Sequence, residues 1–197
     1  MAALVVISPE SRQAKYLTKA QAGTRGGKFI TRPFGEVSDP DVPSDIVNRP
    51  PPQDGQIASA GNPFAAKLDG LVDEFGNPWR TTPVTSGRAL AVVVQIDEPV
   101  KVRRVIAYIT KPNWDPTRVL TRAQFDLGNP VHTRTYPAVP FQSANSPIPV
   151  GLVASKQLEF GFSLPTRPVG HHVLLVEFDL PDSGDAFYQV IDLRYTN

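Results

Sequence analysis

Three segments in the C-terminal part of the chain constrain its fold more than any other feature, because their apolar residues recur with period two. In QLEFGFSL the repeat is Leu158, Phe160, Phe162 and Leu164; in HHVLLVEFDL it is His172, Leu174, Val176, Phe178 and Leu180; in AFYQVIDLRY it is Phe187, Ile191, Leu193 and Tyr195. Successive side chains of a strand point to opposite faces, so this alternation specifies strands laid against a core. ALAVVVQI, from Ala89 to Ile96, is instead continuously apolar and rich in β-branched residues, the pattern of a strand covered on both faces. Near Arg103 and Arg104 the apolar parity switches from Val100 and Val102 to Val105, Ala107 and Ile109, which a β-bulge would accommodate. Such strands, separated by Pro, Gly and Asn turns, predict an all-β fold with two packed sheets. The 21 prolines agree, since proline suits strand ends and long loops and breaks helices.

A chain of 197 residues can bury a core as one domain spanning 1–197, without staples. It has no cysteine, which removes a disulfide framework, a thiolate metal site and a cysteine nucleophile. Twenty basic residues against 19 acidic ones leave a net charge of +1, too weak a field to gather nucleic acid. The apolar run after Met1 lacks a basic leader and a small-residue cleavage site, so it reads as a first strand rather than a signal, and localisation stays open. No apolar stretch approaches the ~20 residues of a membrane span. Residues 13–78 are long, loop-rich and proline-rich, with Pro50, Pro51 and Pro52 in succession and scattered apolar residues such as Phe29, Phe34 and Ile46. A stretch of that length between strands predicts a functional insertion packed onto the sheets.

The residues that could carry chemistry are few. His171 and His172 are adjacent, so on a strand they face opposite ways and cannot share an ion; His172, in parity with Leu174, reads as a core histidine. No Gly-x-Ser-x-Gly elbow supports a serine hydrolase. Asp73, Glu74, Asp97, Glu98, Asp182 and Asp185 read as turn residues and caps, and Arg103, Arg104, Arg118 and Arg122 as surface charge, since none lies in a Gly-rich loop before a helix.

Six stretches taken in order carry a more specific message: SPESR, DGQIASAG (Asp54 to Gly61), Trp79, YITKPNWDP (Tyr108 to Pro116), LTRAQFDL (Leu120 to Leu127) and GDAFYQVIDL (Gly184 to Leu193). The chain resembles the bacterial lytic polysaccharide monooxygenases of auxiliary-activity family ten, the chitin-binding protein type, over nearly its whole length. The resemblance implies an immunoglobulin-like or fibronectin-III-like β-sandwich with a loop-and-short-helix insertion after the first strand. It also implies that Trp114, which follows the Lys-Pro break, and Trp79 are packing residues. Members of that family activate dioxygen at a copper held by an N-terminal amine and two imidazoles, donors that suit copper. By the motif spacing those histidines would fall at Ala3 and Val100, neither of which can bind a metal. Phe187 matches the aromatic beside the copper, Glu98 replaces a small residue, and Tyr16 stands where a cysteine is common. In place of the family's aromatic and acidic stretch the chain reads KFITRPFGE, so Phe29, Phe34 and Glu36 are the candidate substrate-binding residues, with packing of Phe29 and Phe34 onto the sandwich as the competing and slightly favoured reading.

The resulting expectation is a copper-free, non-catalytic relative, not an enzyme and without cofactor, that binds chitin or another polysaccharide. The alternative is a structural or protein-interaction module that reuses the scaffold without binding glycan.

Overall fold

The computed structural model describes residues 4–18, 22, 24–29, 50–96, 100, 102–135, 152–154, 157–180 and 185–197. Among them run β1 (Leu4–Ser8), the short helix α1 (Arg12–Tyr16), β2 (Arg25–Gly27), a 3₁₀ segment at Pro63–Asp69, β3 (Thr82–Thr85), β4 (Ala89–Ile96) and β5 (Arg104–Ile109). A second 3₁₀ turn at Arg122–Gln124 precedes β6 (His132–Thr135), β7 (Leu152–Ala154), β8 (Gln157–Ser163), β9 (Gly170–Asp179) and β10 (Asp185–Thr196). They form an immunoglobulin-like antiparallel sandwich. One sheet has the order β1-β4-β8-β7, and the other has the order β2-β10-β9-β5-β6 with β3 running parallel to the far half of β10.

The period-two residues meet where the sequence requires. Leu158, Phe160 and Leu164 from the smaller sheet, with Leu174, Val176, Phe178, Phe187, Ile191, Leu193 and Tyr195 from the larger, fill the space between the sheets. ALAVVVQI differs from its expectation: Leu90, Val92, Val94 and Ile96 point inward, whereas Ala89 and Ala91 are exposed. The outer face of β4 is thus partly open to solvent, with Val93 and Gln95 half-buried, and alanine exposes little apolar area there. The parity switch near Arg103 is real, since Val102 and Val105 both reach the core, but β5 begins only at Arg104, so the switch lies in the strand's approach rather than in a bulge.

The larger sheet is the one buried on both faces. Its outer residues Ile106, Tyr108, Val173, Leu175, Ala186, Tyr188 and Val190 pack against Leu17, Phe29, Ile57, Ala65, Leu68, Trp79, Leu120 and Phe125. Much of that cover comes from the chain between β1 and β3. The joint that fixes it is polar: Ser11 Oγ donates to Gln189 Oε1 at 2.8 Å, and Arg12 binds Asp192 through two bonds of 2.7 Å. Gln13 Oε1 accepts from the Val190 amide at 2.9 Å while its Nε2 donates to the Ala58 carbonyl at 2.7 Å. SPESR and QVID are therefore two halves of one contact, and every bond in it is shielded from water. Gly26 marks the tightest approach, because a Cβ there would lie 2.4 Å from the Ala60 carbonyl oxygen.

Candidate functional site

One end of the sandwich gathers the start of β1, the end of β4, the approach to β5, the end of β9 and the start of β10. Leu4 pairs with Ile96, Arg104 with Asp179, and Ala186 with both Asp179 and Gly26. Val100 lies in the connection between β4 and β5, half-buried and packed on the core between the sheets. Ala3, which precedes Leu4, lies outside the described residues, as do Phe34, Glu36 and Glu98. Phe187 is fully buried, and the Arg25 guanidinium sits 5.2 Å from its ring centre while bonding Asp185 at 3.1 Å. Asp185 is thus part of an ion pair rather than a solvated turn residue.

A copper ion finds no side-chain nitrogen at Val100 or Ala3, where the family resemblance would place its two imidazoles. It requires lone pairs on nitrogen, and an isopropyl at Val100 and a methyl at Ala3 supply none. Among the described residues no group of three or more His, Asp or Glu side chains could hold a metal ion. The histidines are engaged elsewhere. His132 stacks on Phe160 with ring centres 4.7 Å apart, and His171 Nε2 lies 2.8 Å from Asp192 Oδ1. His172 lies 3.0 Å from Thr110 Oγ1 through Nδ1, and burial lowers its pKa to about 4, so it is the neutral core histidine the sequence suggested.

Beneath the same end lies a buried ionic cluster that contains Arg104, which the sequence suggested was surface charge. Arg104 and Asp179 are paired across β5 and β9, with side-chain exposures of 16% and 1%. Glu177, Lys28, Tyr108 and Tyr188 are buried beside them. Burial drives the Glu177 carboxyl well above the usual carboxylate range, and the neighbouring Asp179 charge drives it further. A side-chain hydrogen bond with Asp179 adds to the rise. Burial lowers the Lys28 ammonium against the opposing pull of Asp179, whereas for Arg104 the attraction of Asp179 outweighs burial and raises it. Glu177 Oε1 also accepts the Phe29 amide at 2.6 Å, so the cluster anchors the strand segment that covers it.

Phe29 is consequently not a ligand platform. It is fully buried, its ring lies 5.5 Å from Phe125, 5.7 Å from Tyr108 and 6.2 Å from Tyr188, and Arg122 closes the remaining side at 4.5 Å. Arg122 donates to the Phe29 carbonyl at 2.9 Å, so it too serves packing rather than the surface. The signal for this was present in parity: Arg104, Ile106 and Tyr108 share a face, as do Val173, Leu175, Glu177 and Asp179. Trp79 is buried with its Nε1 donating to the Gly70 carbonyl, and Trp114 is half-buried with its Nε1 donating to the His171 carbonyl, both at 2.8 Å.

An immunoglobulin-like antiparallel sandwich is the architecture of the auxiliary-activity family ten lytic polysaccharide monooxygenases. This chain belongs to that family: the profile described as "Lytic polysaccharide mono-oxygenase, cellulose-degrading" matches residues 5–193. The chain is 31% identical over 145 residues to the GlcNAc-binding protein A of Vibrio cholerae, covering 73% of this chain and 26% of that protein. It therefore spans about a quarter of the length of the curated relatives it matches. Among solved structures, a chitin binding domain from Burkholderia pseudomallei is similar over 100% of both chains, with a TM-score of 0.81 and 34% identity. An auxiliary-activity family ten lytic polysaccharide monooxygenase from Streptomyces lividans aligns over 97% of this chain and 99% of its own, with a TM-score of 0.72 and 25% identity.

Proposed function

We propose that the chain is a copper-free, non-catalytic member of its family that binds chitin or another polysaccharide. The observation that carries the reading is Val100, an isopropyl packed on the core, at the place where the motif spacing would put the second copper-binding imidazole. The fold around it is kept, and relatives named for GlcNAc and chitin binding support a glycan as the ligand. With Phe29 inside the protein, Phe34 and Glu36 remain as the contacts proposed for that face. The test is incubation with chitin, copper and ascorbate: no oxidised oligosaccharide and no peroxide above a buffer control are expected, with the protein retained on the solid. Oxidised products from the purified protein would overturn the non-catalytic reading.

A second reading, a protein-interaction module, is favoured by Phe64 and Phe75, which are 79% and 76% exposed. Exposed large apolar side chains close to one another mark interaction surfaces, and these two lie on segments tied by the Lys67–Glu74 ion pair at 3.1 Å. Under that reading the protein is not retained by any insoluble glycan, and Phe64→Ser with Phe75→Ser changes self-association or partner capture only.

A further inference from the structure

Where α1 meets β3, a cavity of about 130 Å³ has three cationic side chains in its lining, Arg12, Lys15 and Arg80, against two carboxylates, Glu10 and Asp192, with Thr81 and Thr82 between them. Its charges do not balance. Both oxygens of Asp192 are committed: Oδ2 accepts Arg12 Nε, and Oδ1 accepts Arg12 Nη2 at 2.7 Å and lies 2.8 Å from His171 Nε2. Burial pushes that carboxyl up, but Arg12 and the His171 contact outweigh it and hold the pKa below the ordinary value, so the pair is closed and charged. Lys15 has no such partner. Its Nζ is buried and donates to no acceptor among the described residues; the group beside it is the Tyr16 ring, 5.3 Å away at the centre. A ring face attracts a cation but offers no lone pair to three N–H donors. Asp73 is occupied by the Tyr16 hydroxyl at 3.3 Å and by the amides of Phe75 and Asn77. Among the described residues neither Arg80 nor Glu10, both exposed, forms an ion pair, so Glu10 offsets one of the two uncommitted cations by charge alone and one positive charge is left over.

We propose that this cavity is an oxyanion site in which Lys15 and Arg80 hold a phosphate, sulfate or carboxylate group and the hydroxyls of Thr81 and Thr82 donate to it. A buried ammonium with unmet donors is costly, and an acceptor-only anion meets the charge and the hydrogen bonds together. The volume suits one tetrahedral ion or one carboxylate group, so the anion is either a free inorganic ion or the acid group of a sugar. The site lies apart from the end that holds Val100, and it stands whether or not that end binds glycan.

The full chain is titrated calorimetrically with sodium sulfate and, separately, with sodium glucuronate, against sodium chloride at equal ionic strength. Saturable one-to-one binding of at least one of the two is expected, weakened about tenfold by Lys15→Met and likewise by Arg80→Gln, the loss of one charge-assisted hydrogen bond. Tighter glucuronate than sulfate assigns the site to an acidic glycan; the reverse assigns it to a free ion. General salting effects of sulfate would be the same in both variants and the native chain. No saturable heat with either ion, or equal affinity in the native chain and both variants, overturns the site. Arg80 is exposed and forms no ion pair among the described residues, so its variant folds even if Lys15→Met does not.

Discussion

Replacing Phe29 by alanine separates a buried residue from a glycan platform. The ring is fully enclosed, with three aromatic neighbours at 5.5–6.2 Å and the Arg122 guanidinium at 4.5 Å. A phenylalanine-to-alanine change in a core costs about 3–5 kcal/mol through lost transfer and a residual cavity. Here the edge-on ring contacts and the arginine over the face place it in the upper part of that range, about 4–5 kcal/mol. For a domain of this size each kcal/mol lowers Tm by about 2–4 °C, so a fall of roughly 8–20 °C is expected. Phe29→Leu, which keeps most of the volume, should recover more than half of it. The assay is thermal melting by circular dichroism beside urea unfolding, with chitin retention measured well below both midpoints. If the ring instead faced solvent, the variant would melt within about 0.5 kcal/mol of the native chain and would lose retention at full folding. That pair of results would refute the packing described.

Phe187→Ala should also cost about 3–5 kcal/mol, because the ring between the sheets is wholly enclosed; an unchanged melting curve would show otherwise. Glu177 keeps its proton far above the ordinary 4.5, so its contribution to stability is complete below that value and is lost as pH rises through the folded pKa. Glu177→Gln should therefore be tolerated and should flatten urea midpoints measured from about pH 5 to about pH 8, whereas an unflattened profile would place the proton elsewhere. Trp114 is half-buried and bonded to the His171 carbonyl at 2.8 Å, away from the end holding Val100, so its fluorescence should not respond to chitin oligomers. A quench on adding them would move it to the binding face.

The sandwich was legible because alternation in a strand reports directly which side chains meet a core, and the residues of QLEFGFSL, HHVLLVEFDL and AFYQVIDLRY lie where period two puts them. Coverage was harder. Ala89 to Ile96 looked doubly buried, yet its alanines face outward, while β9 looked half-polar although Glu177 and Asp179 lie inside. Periodicity says which side chains share a face but not what chain is laid over it; for β9 that chain comes from a segment more than a hundred residues earlier. The same reason hid the enclosure of Arg104 and Arg122, and left Phe29 open between packing and binding. A charged or aromatic residue in a loop-rich stretch carries no local mark of the partner that encloses it. The absence of donors at Ala3 and Val100, by contrast, is a matter of residue chemistry and needs no coordinates.

Retention of the purified chain by chitin beads, with and without a molar excess of EDTA, tests the central claim most directly. A glycan binder with no copper-binding nitrogens at Val100 and Ala3 should be depleted from solution saturably and to the same extent in both conditions. No depletion, or depletion that EDTA abolishes, would contradict it.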